Sequence, residues 1–185
     1  MTPREADAAL FGEALACEGV RPCGFEAATP DAAALHAEAL RAEAFLQALA
    51  VVEDSRGEDP EEYGPGALAL QRIEARLDLL TALVGSLLHG GDRDPPRALR
   101  WSAVGATLTG ADGPVGSTGW LRIQPSDQLP QLLRLPVRVL ATESSAEGTR
   151  LWLRFDGLPA GLTAALERHL FRLHRREIAE RRRPR

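Results

Sequence analysis

Eight arginines crowd the stretch from Ala160 to Arg185 against only Glu167, Glu177 and Glu180, so this end carries about +5 while the whole chain has a formal charge of −4. The rest of the chain must therefore carry about −9. Guanidinium groups pair with phosphate or carboxylate. Arg168, Arg172, Arg175, Arg176, Arg181, Arg182, Arg183 and Arg185 could thus grip nucleic acid, anionic lipid or an acidic protein. Single strands need aromatic platforms, and apart from Phe171 none accompanies the arginines; no recognised DNA-binding motif precedes them. A solvated basic face that neutralises the acidic helices or meets an acidic protein partner fits better, with Arg168, Arg172, Arg175 and Arg176 as the partner surface. Nucleic-acid binding is the alternative.

The other reactive side chains form no catalytic pattern. Every basic residue is Arg, which removes Schiff-base chemistry and the P-loop lysine. Two thiols, Cys17 and Cys23, are too few for a four-ligand zinc site unless histidines complete it, and they read as reduced structural thiols. His169 and His174 are five apart, about 140° around a helix, which is awkward for joint metal coordination. His36 and His89 have no spaced partners. Gly110–Thr118 is glycine-rich but lacks P-loop spacing, and Ser117 sits outside a Gly-x-Ser-x-Gly elbow. We expect no catalytic residue, no metal and no cofactor.

Those residues need a scaffold, and 185 residues that are 44% hydrophobic and 26% charged can bury roughly 70% of the unfolded surface in one medium domain or two small ones. The longest apolar stretch, Leu77–Leu88, is broken by Asp78, Thr81, Gly85 and Ser86, so no membrane span is expected. Met1–Ala9 lacks the features of a secretory signal, and a cytoplasmic location is expected.

Three regions follow. Residues 1–92 read as a helical oligomerisation region. One helix spans Asp31–Asp54, with Thr29 as cap, Pro30 in the first turn and a seam of Leu35, Ala39, Ala42, Leu46 and Leu49. An acidic loop, Asp54–Gly66, separates it from a second helix, Ala67–His89, about 35 Å long at 1.5 Å per residue. Here Leu70, Ile73, Leu77, Leu80, Val84 and Leu87 alternate at spacings of three and four, the a/d positions of a heptad pattern. Leu68, Leu79, Leu83 and Leu88 widen the apolar surface beyond a two-stranded seam, which favours a bundle of three or more helices. The same face could instead pack within one chain. Gly90 and Gly91 end the helix.

Residues 93–158 are rich in Gly, Thr, Val and Trp, with strand candidates Ala98–Leu108, Gly119–Gln124, Leu132–Thr142 and Thr149–Phe155. Leu135, Val137 and Val139, and then Leu151, Leu153 and Phe155, alternate with outward positions. Short antiparallel strands of this kind make a small barrel or sandwich. Residues 159–185 form a basic helix with Leu162, Ala165, Leu166, Leu170, Leu173 and Ile178 along its apolar side, which packs on the barrel or the helical region. The fold class is α+β: an N-terminal helical hairpin or bundle, a small antiparallel barrel and a C-terminal helix.

Leu99-Arg-Trp101, Gly116-Ser-Thr-Gly-Trp120-Leu-Arg-Ile123, Leu135-Pro-Val-Arg-Val139, Leu153-Arg-Phe155-Asp-Gly-Leu158 and Glu167-Arg-His-Leu-Phe171-Arg-Leu-His-Arg-Arg176 resemble the barrel and terminal helix of atypical PilZ proteins, over about residues 95–183. The resemblance is to the xanthomonad type, some members of which form tetramers through heptad-bearing helices. It implies a bacterial, non-catalytic signalling adaptor in a cyclic di-GMP-linked pathway. Such an adaptor would self-assemble, with a tetramer favoured, and act by protein–protein contacts. Standard PilZ domains bind cyclic di-GMP through Arg-x-x-x-Arg and Asp/Asn-x-Ser-x-x-Gly. Arg93-Asp-Pro-Pro-Arg97 meets the first spacing, whereas Asp112-Gly-Pro-Val-Gly-Ser117 fails the second. A direct receptor using Arg93, Arg97 and Arg100 is therefore the alternative implied by the resemblance.

Overall fold

The computed structural model describes residues 1–54, 69–70, 72–77, 79–80, 84, 94–126, 129, 131–146 and 148–182. Six strands, β1 (Cys17–Ala27), β2 (Pro96–Trp101), β3 (Gly105–Thr109), β4 (Thr118–Ile123), β5 (Leu133–Ser145) and β6 (Gly148–Phe155), form a closed barrel in the order β1-β2-β3-β6-β5-β4. All pairs are antiparallel. The helices are α1 (Pro3–Phe11), α2 (Ala32–Asp54) and α3 (Ala160–Arg181), with further helical residues at 69–70, 72–77, 79–80 and 84.

Hydrophobic alternation places Leu99, Trp101, Leu108, Leu121, Ile123, Leu135, Val137, Val139, Leu151 and Leu153 in one buried core. Leu162, Ala165, Leu166 and Leu170 of α3 join it, as do Ala39, Ala42, Leu46 and Leu49 of the α2 seam. On the outer face, Ala6, Leu10 and Phe11 of α1 bury against Leu140, Ala141 and Trp152. They meet the barrel where β5 shifts register between Val139 and Ala141. That irregularity lets consecutive Leu140 and Ala141 both join the outer cluster, where strict alternation would send Ala141 inward with Val139.

Three details depart from the sequence reading. Residues 17–27, placed by sequence in the helical region 1–92, form β1 of the barrel. The first half of β1 pairs with β2 and the second half with β4. Its two glycines, its proline and a mostly exposed middle hide the strand from any period-two search. The single expected strand 98–108 is instead the hairpin β2–β3. Buried Ser102 makes the turn, accepting from the Val104 and Gly105 amides at 3.1 and 3.3 Å while its hydroxyl donates to the Leu10 carbonyl at 2.8 Å. The α2 cap is Asp31 rather than Thr29: its Oδ1 accepts from the Ala34 amide at 2.7 Å, where a carboxylate also meets the positive end of the helix. The acidic loop and the Gly90-Gly91 stop lie largely or wholly outside the described residues.

Leu121 is fully buried at the barrel centre, whereas Val20 on β1 is 70% exposed. Leu121→Ala is expected to cost about 2–5 kcal/mol and Val20→Ala within about 0.5 kcal/mol. Urea denaturation at one fixed protein concentration measures both.

Candidate functional site

The heptad segment has two faces. Leu70, Ile73, Leu77, Leu80 and Val84 are each 53–57% exposed, while Ala75 and Leu79 on the other side are 6% and 7% exposed and belong to the main core. The intrachain packing and the exposed heptad line that the sequence left as competing uses thus fall on different sides of one helix. Leu87 lies outside the described residues. The exposed line is a surface of large aliphatic side chains, the kind that a second helix covers.

Of the arginines expected to bind a ligand, Arg97 and Arg100 do not converge. Arg93 is outside the described residues. Arg97 and Arg100 are three apart on β2, so they leave opposite faces of the sheet. Arg97 donates to the Cys23 carbonyl at 3.3 Å. Arg100 reaches Asp7 and Glu18, each at 3.2 Å, and lies 4.1 Å over the Phe11 ring, which ties α1 to β1 and β2. In the β3–β4 loop, the Ser117 hydroxyl donates to the Pro114 carbonyl at 2.7 Å and Gly116 has φ +88°, a local turn.

From Asp94, just before β2, runs an ion-pair chain that the sequence reading missed. Buried Asp94 pairs with Arg122 at 2.6 Å, Arg122 with Glu26 at 3.2 Å, Glu26 with Arg134 at 3.5 Å, and Arg134 with Glu38 of α2 at 3.6 Å. Arg122 and Arg134 face each other across β4 and β5, so Glu26 on β1 offsets two like charges. The signal was there in the strands, but it becomes readable only once β1 is known to close the barrel. A Cβ on Gly24 would collide with the Asp94 carboxylate, so glycine makes room for the first link.

The thiols and the central histidine are structural. Cys17 and Cys23 are buried and free, and the Cys17 thiol donates to the Leu170 carbonyl at 3.3 Å. Burial raises the Cys17 pKa and pushes Cys23 up to about 12, so neither thiol is activated as a nucleophile. His169 is buried against Trp101, with its Nε2 3.2 Å from the Pro125 carbonyl, a contact that requires the proton on Nε2. Burial, with the Arg172 guanidinium nearby, holds its imidazole down at about 3. Among the described residues, no group of three or more His, Cys, Asp and Glu could hold a metal ion.

The expected arginine surface on α3 divides. Arg172 and Arg176 both reach Glu53 of α2, at 3.4 and 2.9 Å, and serve the fold. Arg168 and Arg175 are exposed on α3.

The site is thus a closed six-stranded barrel with a helix packed on it, its thiols buried and its arginines at the surface. The family profile described as "atypical PilZ domain, cyclic di-GMP receptor" matches residues 46–183. Among solved structures, a pathogenic Xanthomonas campestris protein is 44% identical, covers 96% of this chain and 97% of its own, and superposes with a TM-score of 0.74. That structure is described as a tetrameric PilZ domain self-assembled via an unusual helical bundle. Escherichia coli YcgR in complex with cyclic di-GMP is more distant, at 20% identity over 48% of this chain and 40% of that one, with a TM-score of 0.40 too low to carry an argument. No curated protein sequence matches. This chain belongs to the atypical PilZ family.

His169 carries a pH consequence. Its folded pKa lies below the unfolded value of 6.5, so its contribution to stability is present above about pH 6.5 and is lost as the pH falls toward 3. Between pH 6 and 4 the parent protein should lose about 1.4 kcal/mol per pH unit through this group, a component absent from His169→Gln. Urea titrations of both proteins across that range measure the difference.

Proposed function

We propose that this chain is a non-catalytic PilZ-type adaptor in a cyclic di-GMP-linked bacterial pathway, self-assembled as a tetramer and acting through protein contacts. One observation carries the reading: helical residues anchored in the main core by Ala75 and Leu79 hold Leu70, Ile73, Leu77, Leu80 and Val84 out to solvent. Covering five such half-exposed side chains is worth on the order of 10 kcal/mol per chain, comparable to the cost of association. The tetramer of the 44%-identical Xanthomonas protein supports the same stoichiometry. In this arrangement the heptad helices of four chains meet, and each barrel with its α3 faces outward as a partner surface. The place of action is the cytoplasm; among the described residues no helix is long and apolar enough to cross a membrane.

The family description favours a second reading, direct reception of cyclic di-GMP. Against it stand Arg97 and Arg100 on opposite faces, Arg100 already paired with two carboxylates, and a β3–β4 loop lacking the second ligand motif. In calorimetry, the adaptor reading expects no heat of binding at micromolar dinucleotide. A micromolar affinity abolished by Arg93→Ala/Arg97→Ala would establish the receptor instead.

Ile73→Glu/Leu77→Glu alters only exposed positions, so the barrel should keep its fold while light scattering reports loss of the tetramer. A parent protein that stays a folded monomer at high micromolar concentration, or a variant that stays tetrameric, would refute the assembly.

A further inference from the structure

Along α3 and into its C-cap, Arg168, Phe171, Arg175, Ile178 and Arg182 follow one another at spacings of three, four, three and four. They form one line, alternately cationic and apolar, on the side away from Leu162, Leu166 and Leu170. Phe171 is 55% exposed although its neighbour Leu170 is buried, and Ile178 is also exposed. No carboxylate among the described residues pairs with Arg168, Arg175 or Arg182. Glu53 takes Arg172 and Arg176, and Glu177 takes Arg181, all off this line.

A groove of about 1320 Å³ opens beside Phe171, between α3, the stretch that follows α1 and the β2–β3 turn. Exposed Leu15 and Val104 give it two more apolar contacts, one on each of the other walls. Glu13 and Glu167 also line it. Arg168, Arg172 and Arg175 line it as well, so the cations of the line border the groove itself. The groove exceeds the roughly 300–1,000 Å³ of a small-molecule pocket. The line beside it runs about 21 Å at 1.5 Å per residue, the length of a helix of four turns.

We propose that this ridge and groove dock an amphipathic helix of a protein partner, which seats an apolar side chain against Phe171, Leu15 and Val104 and sets carboxylates opposite Arg168 and Arg175. The two arginines are seven residues apart, so the complementary partner carries Glu-x-x-Leu-x-x-x-Glu, its acids two turns apart on either side of the anchor. Aromatic and arginine side chains together are the usual composition of the energetic centre of a protein interface. This surface rests on the adaptor reading, whose partner chemistry it names.

The test is fluorescence anisotropy of the full-length protein with a labelled helical peptide carrying one Glu-x-x-Leu-x-x-x-Glu unit. A second peptide has Lys in place of both Glu, and light scattering follows the same samples. Saturable binding at tens of micromolar is expected, weakened about ten-fold by Arg168→Glu/Arg175→Glu and at least about five-fold by Phe171→Ser, with no binding of the Lys peptide. Each of these outcomes overturns the proposal: no saturable binding, equal binding of the Lys peptide, unchanged affinity in both variants, or displacement of the peptide by a single-stranded oligonucleotide. A change of oligomer mass in Arg168→Glu/Arg175→Glu also overturns it, by assigning the face to a second copy. A tetramer that ignores the peptide sinks this surface and spares the assembly; a monomer that binds it does the reverse.

Discussion

Closure of the barrel by β1 is the constraint on which the other features depend. A sheet of the five later strands would leave unpaired backbone groups along β2 and β4, and a sheet edge is both unsatisfied and open to wrong pairing. One long strand serves both edges: Cys17–Pro22 runs beside β2 and Cys23–Ala27 beside β4. Because β1 lies between α1 and α2 in the chain, its place also decides where those helices begin. α1 is held against the outer faces of β5 and β6, and α2 returns across β5 to reach α3. The ion-pair chain from Asp94 to Glu38 passes through Glu26, a β1 residue, so the same strand joins the segment before β2 to α2.

With the barrel closed, its interior is filled. Trp101, Leu121, Leu135 and Leu153 meet Leu162, Leu166 and Leu170, and His169 enters the same region as a neutral ring. A buried imidazole with one carbonyl partner is tolerable only uncharged, which is why its protonation works against the fold rather than for a reaction. Burial has the same effect on the thiols, since desolvation disfavours the thiolate. Side chains that in isolation suggest metal or nucleophile chemistry here supply packing and hydrogen bonds. Binding chemistry is left to the outside of the molecule.

Two surfaces on that outside have different physics. The heptad line is aliphatic and without charge at its a/d positions, suited to many identical copies whose side chains interdigitate. The α3 line interleaves arginine with Phe171 and Ile178 and suits a partner of opposite charge. Glu53 separates the structural arginines from the others: by holding Arg172 and Arg176 against α2 it fixes the orientation of α3, and hence the direction in which Arg168 and Arg175 point.

Much of this was legible in the residues alone. Heptad spacing in Leu70–Val84, period-two alternation in Leu135–Val139 and Leu151–Phe155, and the leucine stripe of Leu162–Leu170 are local patterns, and local patterns survive without knowledge of the fold. Together with the motif resemblance they gave the α+β class and the family. What stayed hidden was non-local. Cys17–Ala27 is a strand because two distant edges need a partner, not because its own sequence prefers extension. Arg100 meets Asp7 and Glu18, and Arg172 meets Glu53, across large sequence separations, so their removal from the list of available cations was a tertiary decision. The residues by themselves determined which faces are apolar or cationic; only the packed chain decided which of those faces remain exposed, because burial and ion pairing depend on what the fold brings alongside.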